Sequence, residues 1–364
     1  MNCEDDMKNI LIVTIPGDLH AIDVKLALEK LGDRVVVWYF SDFPALQKHS
    51  FAVEQKDICW EADGVDFAIC NQRFDVVWFR RPQKPVLSKN IHPDDKKIAL
   101  QENLLFYQMI WRIIAPEARW INPYSNAVAA NNKLLQLKVA AQVGFKIPPT
   151  LITNDPSKIK AFINAHQSQE VIYKTFGQGG WFRKKSARLS YTRLIGLQDL
   201  PNDDFLQATP GIFQQKIPKS FELRVAMLGN YPVAVKILSQ AHPKGMIDWR
   251  CIPTNELVIE QFELPSVIQD NCRFFMQRMG LVFGCFDFIV TPDNEYYFLE
   301  INEQGQFLWI EEINPEIKML ASFVNFLRYN SGIYATKDLV SLADFSAETL
   351  NQQRLAMKLH SNDL

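Results

Sequence analysis

Two apolar runs, Phe286-Asp287-Phe288-Ile289-Val290 and Phe298-Leu299-Glu300-Ile301-Asn302-Glu303, flank the turn-forming residues Pro292-Asp293-Asn294-Glu295. This pattern predicts a β-hairpin. A loop of Asp293-Asn294, or of all four residues, pairs Asp287 directly with Glu300 and puts Asn302 on the same face as Glu300. Side chains facing each other in this way hold their Cβ atoms about 5 Å apart, where like charges destabilise the pair. A cation between the two acids removes the conflict. Two carboxylates and an amide oxygen, with room left for phosphate and water, suit Mg2+, whereas zinc would call for Cys or His. The plainer alternative is a hairpin with both acids on a solvated face.

Cationic residues recur at element ends elsewhere. A helix predicted from Asn131-Asn132-Lys133, with Leu134, Leu137 and Ala141 at helical spacing, is ended by Gly144 and Pro148-Pro149. Lys133 in its first turn opposes the helix dipole unless an anion sits there. The strand Val171-Ile172-Tyr173-Lys174-Thr175 runs into Gly177-Gln178-Gly179-Gly180 and then Trp181-Phe182-Arg183-Lys184-Lys185. Gly-rich backbone can approach phosphate closely and close over it as a lid, although a simple hairpin loop would read the same way. Neither G-x-x-x-x-G-K-[ST] nor G-x-G-x-x-G occurs, so nucleotide binding by those two routes is not expected. A strand over Ile212-Phe213-Gln214-Gln215-Lys216-Ile217 ends at Pro218. Beyond it, Glu222–Val225 and Ala234–Ile237 flank a Gly229-Asn230 turn. A two-residue turn sets Arg224 opposite Val235 and directs Lys236 to the other face, so Arg224 is a site candidate and Lys236 is not. Asp248-Trp249-Arg250 adds a further arginine, and Arg80-Arg81-Pro82 ends a strand with two, suited to an anionic group or to a solvated sheet edge.

These residues need positioning elements. Strand Ile10–Thr14, a helix with Ala21, Val24, Leu28 and Leu31 on one stripe ended by Gly32, and strand Val35–Trp38 make a βαβ unit and imply a parallel sheet. A strand at 75–79 and a helical stretch at 96–114 complete an α/β domain ending near Pro123. Late in the chain, Asn314 reads as a helix cap with Pro315 at the first position and Ile317, Leu320, Ala321, Val324 and Leu327 as its buried stripe. The last thirty or so residues read as one or two further helices, and neither an internal repeat nor a low-complexity linker is present.

Composition bounds the function. At 364 residues, 48% hydrophobic and 22% charged, the chain can bury a large core and suggests two or three domains. A net charge of −2 without a Lys/Arg run gives no nucleic-acid signal. The six cysteines form no Cys-x-x-Cys and the six histidines no His-x-x-x-His, which fits reduced thiols in a cytoplasmic protein. No apolar run approaches a membrane span, and the acidic start Met1-Asn2-Cys3-Glu4-Asp5-Asp6 is no signal peptide, so a soluble protein is expected.

The order of these features resembles the ATP-grasp ligases over roughly Asn122 to Leu327: a lysine at a helix start, a strand lysine before a Gly-rich lid, Gln-Gln-Lys-Ile, Glu-Leu-Arg, then Asp…Glu-x-Asn. The N-terminal βαβ domain is similar to the family's pre-ATP-grasp domain. More narrowly, Trp78–Pro82, Phe221–Arg224, Asp248–Arg250, Leu299–Asn302 and above all Gly305-Gln306-Phe307-Leu308-Trp309-Ile310-Glu311 resemble the microviridin-type peptide-modifying ligases, the graspetide synthetases. The resemblance implies an ATP-grasp fold, α+β in its ATP-grasp part, behind an α/β pre-ATP-grasp domain at 1–123. A central subdomain at 124–212 would carry the lid, with a C-terminal subdomain at 213–330 and a helical tail at 331–364. It implies ATP and Mg2+ as cofactors. Lys133 and Lys174 would hold phosphates, with Gly177, Gly179 and Gly180 closing over them. Gln214 and Gln215 would line the nucleotide site, the backbone of Lys216 and Ile217 would read adenine, and Glu222 would bind ribose. Asp287, Glu300 and Asn302 would hold the metal, and Arg224 and Arg250 would face the transferred phosphate and the acyl group. The family usually has glutamate where Gln215 stands; the amide keeps an acceptor and loses the charge.

The implied reaction activates Asp or Glu side chains of a precursor peptide as acyl phosphates and joins them to Thr, Ser or Lys side chains. The leader segment would dock within about Trp181 to Thr209, with Arg80 and Arg81 on the acidic core peptide, and a homodimer is the implied assembly. A ligase adding a free amino acid to a peptide, protein or small acid would share every ATP residue. A non-catalytic binding protein is disfavoured by the intact set of ligands.

Overall fold

The computed structural model describes residues 7–55, 57–166, 170–177, 180–183, 186–189, 191–332 and 339–360. Residues 10–13 are all buried, as a strand covered on both faces requires. This strand, β1 (Asn9–Thr14), pairs in parallel with β2 (Arg34–Tyr39) and β6 (Val76–Phe79), and β6 pairs with β7 (Arg119–Ile121), giving the order β2-β1-β6-β7. Helix α1 (Leu19–Lys30) makes the first crossover and is followed by Gly32 at φ +90°. An antiparallel sheet of β3 (Lys48–Glu54), β4 (Asp57–Asp63) and β5 (Ala68–Cys70), not expected from the sequence, stands between β2 and β6. Its buried residues Trp60, Ala62 and Ile69 pack with Trp38 and Trp111. Helix α2 (Lys96–Ile110) ends earlier than the periodicity suggests.

Strands β8 (Thr150–Thr153), β9 (Val171–Lys174), β12 (Arg193–Ile195) and β13 (Gly211–Gln215) form a second sheet, ordered β12-β9-β13-β8, with α5 (Pro156–Ala165) and α6 (Asp203–Ala208) beside it. Between β9 and β12 runs the two-stranded β10 (Gly180–Arg183) and β11 (Ser186–Leu189). The third sheet, β16-β15-β14-β17-β18, is antiparallel and comprises β14 (Phe221–Leu228), β15 (Tyr231–Ile237), β16 (Ile259–Gln261), β17 (Phe283–Val290) and β18 (Tyr296–Asn302).

Alternation along β14 shows how the third sheet is covered. Leu223, Val225 and Met227 share a core with residues of α3 (Tyr124–Ala130), α4 (Lys133–Gln142) and α7 (Ser266–Met279). Ala226 and Leu228 face a second core with α9 (Met319–Tyr329), and this core includes Ile10, Ile12 and Trp78 of the first sheet. Helices α3 and α4 thus pack on the third sheet, and β13 runs through residues 212 and 213 to complete the second.

The helix expected from Asn314 begins instead at Met319. The short α8 (Trp309–Ile313) ends at Asn314, whose side chain accepts the Glu316 N–H at 3.2 Å in a turn. Glu311 reaches across to the Leu320 N–H at 2.9 Å. Among the described tail residues, a 3-10 turn at Leu342–Asp344 leads into α10 (Ser346–His360), which packs on α1. Among the described residues no helix is long and apolar enough to cross a membrane, and the five described cysteines are free.

Strand β18 lies at a sheet edge, and α4 completes it. The Gln136 amide accepts from the Ile301 N–H at 3.1 Å and donates to its carbonyl at 3.0 Å. Lys146 supplies a carbonyl to the Phe298 N–H at 2.8 Å. Replacing Gln136 by Leu strands both Ile301 groups in a buried place and should lower stability by about 2–4 kcal/mol, read as a fall in the urea midpoint.

Candidate active site

The hairpin closes through a five-residue loop, Thr291 to Glu295, with Val290 opposite Tyr296, Ile289 opposite Tyr297 and Phe288 opposite Phe298. Continued unchanged, that register would place Leu299 against Asp287. The pairing shifts between Asp287 and Phe288, so that Leu299 is the extra residue of a bulge, and Asp287 faces Glu300, Phe286 faces Ile301 and Cys285 faces Asn302. The expected facing of the two acids is therefore present, produced by a bulge that re-aims the strand and not by the turn length alone.

Each acid meets a cation from a different element. Lys133, at the start of α4, contacts Glu300. The Gln136 clamp one turn further along the same helix fixes that approach. Arg224 sits directly opposite Asp287 between β14 and β17, opposite Val235 on its other side, and its Nη1 donates to both carboxylate oxygens at 2.9 and 2.8 Å. Its Nη2 donates to the Gln306 carbonyl at 3.0 Å. Burial, together with the charge of Glu300, pushes the Asp287 carboxyl up against the pull of Arg224. At Glu300 burial also works upward, but Lys133, Lys174 and Arg250 outweigh it and hold the carboxyl below its usual range.

Further pairs surround the hairpin. Arg250 grips Asp248 with Nε to Oδ1 at 2.8 Å and Nη2 to Oδ2 at 2.5 Å, and Asp248 also accepts the Thr192 N–H at 3.2 Å. Lys219 donates to Glu222 at 2.6 Å and to the Ile247 carbonyl at 3.2 Å, in a place where burial raises the Glu222 carboxyl. Lys174 donates to the Gln214 side-chain oxygen at 2.9 Å, and Gln214 donates to Thr150 Oγ1 at 2.8 Å. Among the described residues, Lys174 is thus the cation of this set whose hydrogen-bond partner is a neutral amide. Burial depresses its ammonium pKa.

The structure brings Lys133, Lys174, Arg224 and Arg250 around Asp287 and Glu300. It does so less directly for the others. Asn302 accepts the Gln304 N–H through Oδ1 at 3.0 Å and keeps one lone pair there. The Lys216 N–H is taken by the Glu170 carbonyl at 3.0 Å and its side chain by the Glu170 carboxylate at 2.5 Å, and Gln215 gives its N–H to Pro149. Gly177 is exposed with open space beside it, Gly180 opens β10, and Gly179 lies outside the described residues. Arg81 is exposed, but Arg80 is only 1% exposed and points inward. Residues the sequence reading missed are Lys219, whose spacing of three from Glu222 was the available signal, and Asp248, two before Arg250. Gln136 and Asn122 carried no local signal. Asn122 is buried and donates to the carbonyls of Phe283 at 2.8 Å and Glu303 at 2.9 Å, while its oxygen accepts from the N–H groups of Val282 and Phe283.

Among the described residues no three Asp, Glu, His or Cys side chains group as a metal site. The donor set here is two carboxylates and one amide oxygen, with the nearby Cys285 thiol pushed up by burial and so kept protonated. An all-oxygen set of this kind fits Mg2+.

The fold is of the ATP-grasp kind, behind a pre-ATP-grasp domain. Residues 9–128 match the family model described as the MvdD pre-ATP grasp domain. The chain resembles the microviridin-type graspetide synthetases over nearly its whole length. A RiPP-associated ATP-grasp ligase from Chryseobacterium gregarium, solved with ADP and a leader and core peptide, is 26% identical with a TM-score of 0.79, covering 89% of this chain and 98% of that one. The macrocyclase MdnC of Microcystis aeruginosa MRC, solved with the precursor peptide MdnA, is 28% identical with a TM-score of 0.77, covering 88% and 100%. The ATP-grasp ligase PsnB, in a complex with Mg, ADP and a precursor variant, shares the fold at 22% identity and a TM-score of 0.67, covering 88% and 98%. No curated protein matches the sequence.

Because the folded-state pKa of Lys174 lies below the ordinary lysine value of 10.5, its charge is lost earlier as pH rises. If Lys174 holds phosphate, affinity for Mg-ATP, measured by calorimetry through the alkaline range, should begin to fall before pH 10.5, and Lys174→Met should bind weakly at every pH and show no such fall.

Proposed function

We propose that this chain is an ATP- and Mg2+-dependent ligase that activates Asp or Glu side chains of a ribosomally made precursor peptide and joins them to Thr, Ser or Lys side chains of the same peptide. The observation that carries the reading is the convergence of Lys133, Lys174, Arg224 and Arg250 on the facing Asp287 and Glu300, with Lys174 held by a neutral amide and available to phosphate. Similarity to peptide-bound ligases along the length of the chain supports the substrate class.

A carboxylate is a poor electrophile, and both it and the γ-phosphate are anionic. Lys133 and Lys174 hold the phosphates, and Arg224 and Arg250 offset charge where carboxylate and phosphate meet. Asp287, Glu300 and Asn302 would hold Mg2+, which would supply charge neutralisation for the phosphates. The carboxylate oxygen bonds to the γ-phosphorus as ADP leaves; a hydroxyl or amine then bonds to the acyl carbon and gives up its proton as phosphate leaves. Each ring thus costs the peptide one water. With both reactants on one peptide the second step is effectively unimolecular, an advantage that can reach ~7–11 kcal/mol. Adenine is read by the Lys216 carbonyl and the Ile217 N–H, since the Lys216 N–H is already taken. Glu222, fixed by Lys219, holds ribose. The leader segment docks within 181–209, Arg81 meets the acidic core peptide, and the enzyme works in the cytoplasm, in keeping with the five described cysteines being free.

The test is the mass of a Thr- and Asp/Glu-rich peptide encoded beside the gene, before and after incubation with the protein, ATP and Mg2+. Loss of one or more waters is expected. A mass gain with free amino acids instead would make the chain a ligase of the intermolecular kind, and an unchanged peptide would remove support for ring formation. Glu300→Gln should abolish product while leaving the fold intact by circular dichroism; product formation by that variant would overturn the metal assignment.

A further inference from the structure

In doubly wound sheets, ligands sit at the carboxyl ends of the strands where the strand order reverses. In the first sheet that point lies between β1 and β6, and the chain fills it with its own residues. Thr14 Oγ1 donates to Asp18 Oδ2 at 2.7 Å, and the same oxygen accepts Arg80 Nε at 2.7 Å. Arg80 Nη1 reaches the carbonyls of Gln304 and Gly305 at 3.3 and 3.4 Å. His20 Nε2 accepts the N–H groups of Phe307 and Leu308 at 3.1 and 3.0 Å. The carbonyl between these anchors, that of Gln306, is the one that receives Arg224 Nη2.

Resting on the functional reading above, we propose that Arg80 and His20 are positioning residues: they hold the strap 304–308 so that the Gln306 carbonyl fixes the Arg224 guanidinium opposite Asp287. The strap has little freedom to settle elsewhere. A Cβ on Gly305 would lie 2.5 Å from Cys285 Sγ and 2.7 Å from its Cβ, and Asn302 holds the Gln304 N–H at its other end. Among the described residues Arg80 Nη2 has no hydrogen-bond partner although it is buried. His20 stays an acceptor because burial and the neighbouring Arg80 drive its pKa down to about 3. The arginine pair at the end of β6 therefore divides its work, Arg81 outward and Arg80 inward.

The test is a double-mutant cycle between Arg80→Gln and Arg224→Lys, with His20→Leu and His20→Gln as a second pair. ADP formation with the precursor peptide, Mg-ATP affinity and thermal melting are read together. Arg80→Gln should lower kcat by about 10²-fold with the KM for ATP little changed, as misplacement of a catalytic group does. In the Arg224→Lys background the same change should cost little more, because both act on one unit. His20→Gln, which keeps an acceptor, should retain most of the kcat that His20→Leu loses. Losses that multiply in the double variant, or a wild-type kcat in His20→Leu, overturn the proposal. Should Arg80→Gln fail to fold, the His20 pair decides, since neither variant strips a buried charge. A wild-type chain that binds Mg-ATP yet turns over no peptide overturns the functional reading instead. The same cycle in thermal stability then decides the strap, coupling supporting it and additive losses refuting it.

Discussion

Two carboxylates held face to face across a largely buried hairpin set the terms for the surrounding structure. In a low-dielectric place like charges at this spacing are tolerated only when opposite charges close on them, and removing one partner of such a pair leaves a strongly unfavourable charge behind. The chain draws the compensating groups from separate elements: Lys133 from a helix start, Arg224 from the neighbouring strand, and Arg250 and Lys174 from the margins. A site assembled this way has cations already in place for an anionic ligand. On the functional reading given above, the present partners of Lys133 and Arg224, namely Glu300 and Asp287, are groups that a bound metal would take over.

The first sheet is part of this arrangement and not an appendage. Ile10, Ile12 and Trp78 share one core with Phe283, Phe307 and Phe323, so the α/β domain and the third sheet share a packed boundary. Polar contacts cross that boundary where the hairpin of β17 and β18 ends. Asn122 satisfies all of its amide capacity against the ends of β17 and β18, and Arg119 caps α9 through the carbonyls of Phe326 and Leu327 at 2.8 and 2.6 Å. The usual ligand crevice of such a sheet has become a joint.

Local patterns were legible in the sequence; long-range ones were not. Period-two runs and turn residues sufficed for β1, β2, β14, β15 and the β17–β18 hairpin, and helical spacing with Asn132 and Gly144 placed α4. The facing of Asp287 and Glu300 was anticipated through the wrong intermediate, because a longer loop and a bulge compensate each other and neither leaves a sequence mark. Sheet β3-β4-β5 was missed because its strands mix charged and apolar residues and draw stability from Trp38 and Trp111, distant in the chain. Arg80 looked like a surface group because two arginines at a strand end usually are. Its burial depends on Asp18, sixty residues earlier, and on a loop two hundred residues later. Asn314 and Pro315 had the chemistry of a helix start, but Glu311 captures the Leu320 N–H and delays the helix to Met319.

The amide of Gln136 has a consequence for how a peptide can approach. It imitates a neighbouring strand at Ile301, and Lys146 does the same at Phe298. The strand bearing Glu300 and Asn302 is therefore closed to backbone zippering where it matters, although it borders the sheet. An extended peptide cannot read this site by strand register, one residue after another. It must offer a single side chain end-on. On the functional reading given above, which acid is activated is then a question of reach from wherever the rest of the peptide is moored, and one enzyme could serve several rings by letting the tether, rather than the pocket, choose.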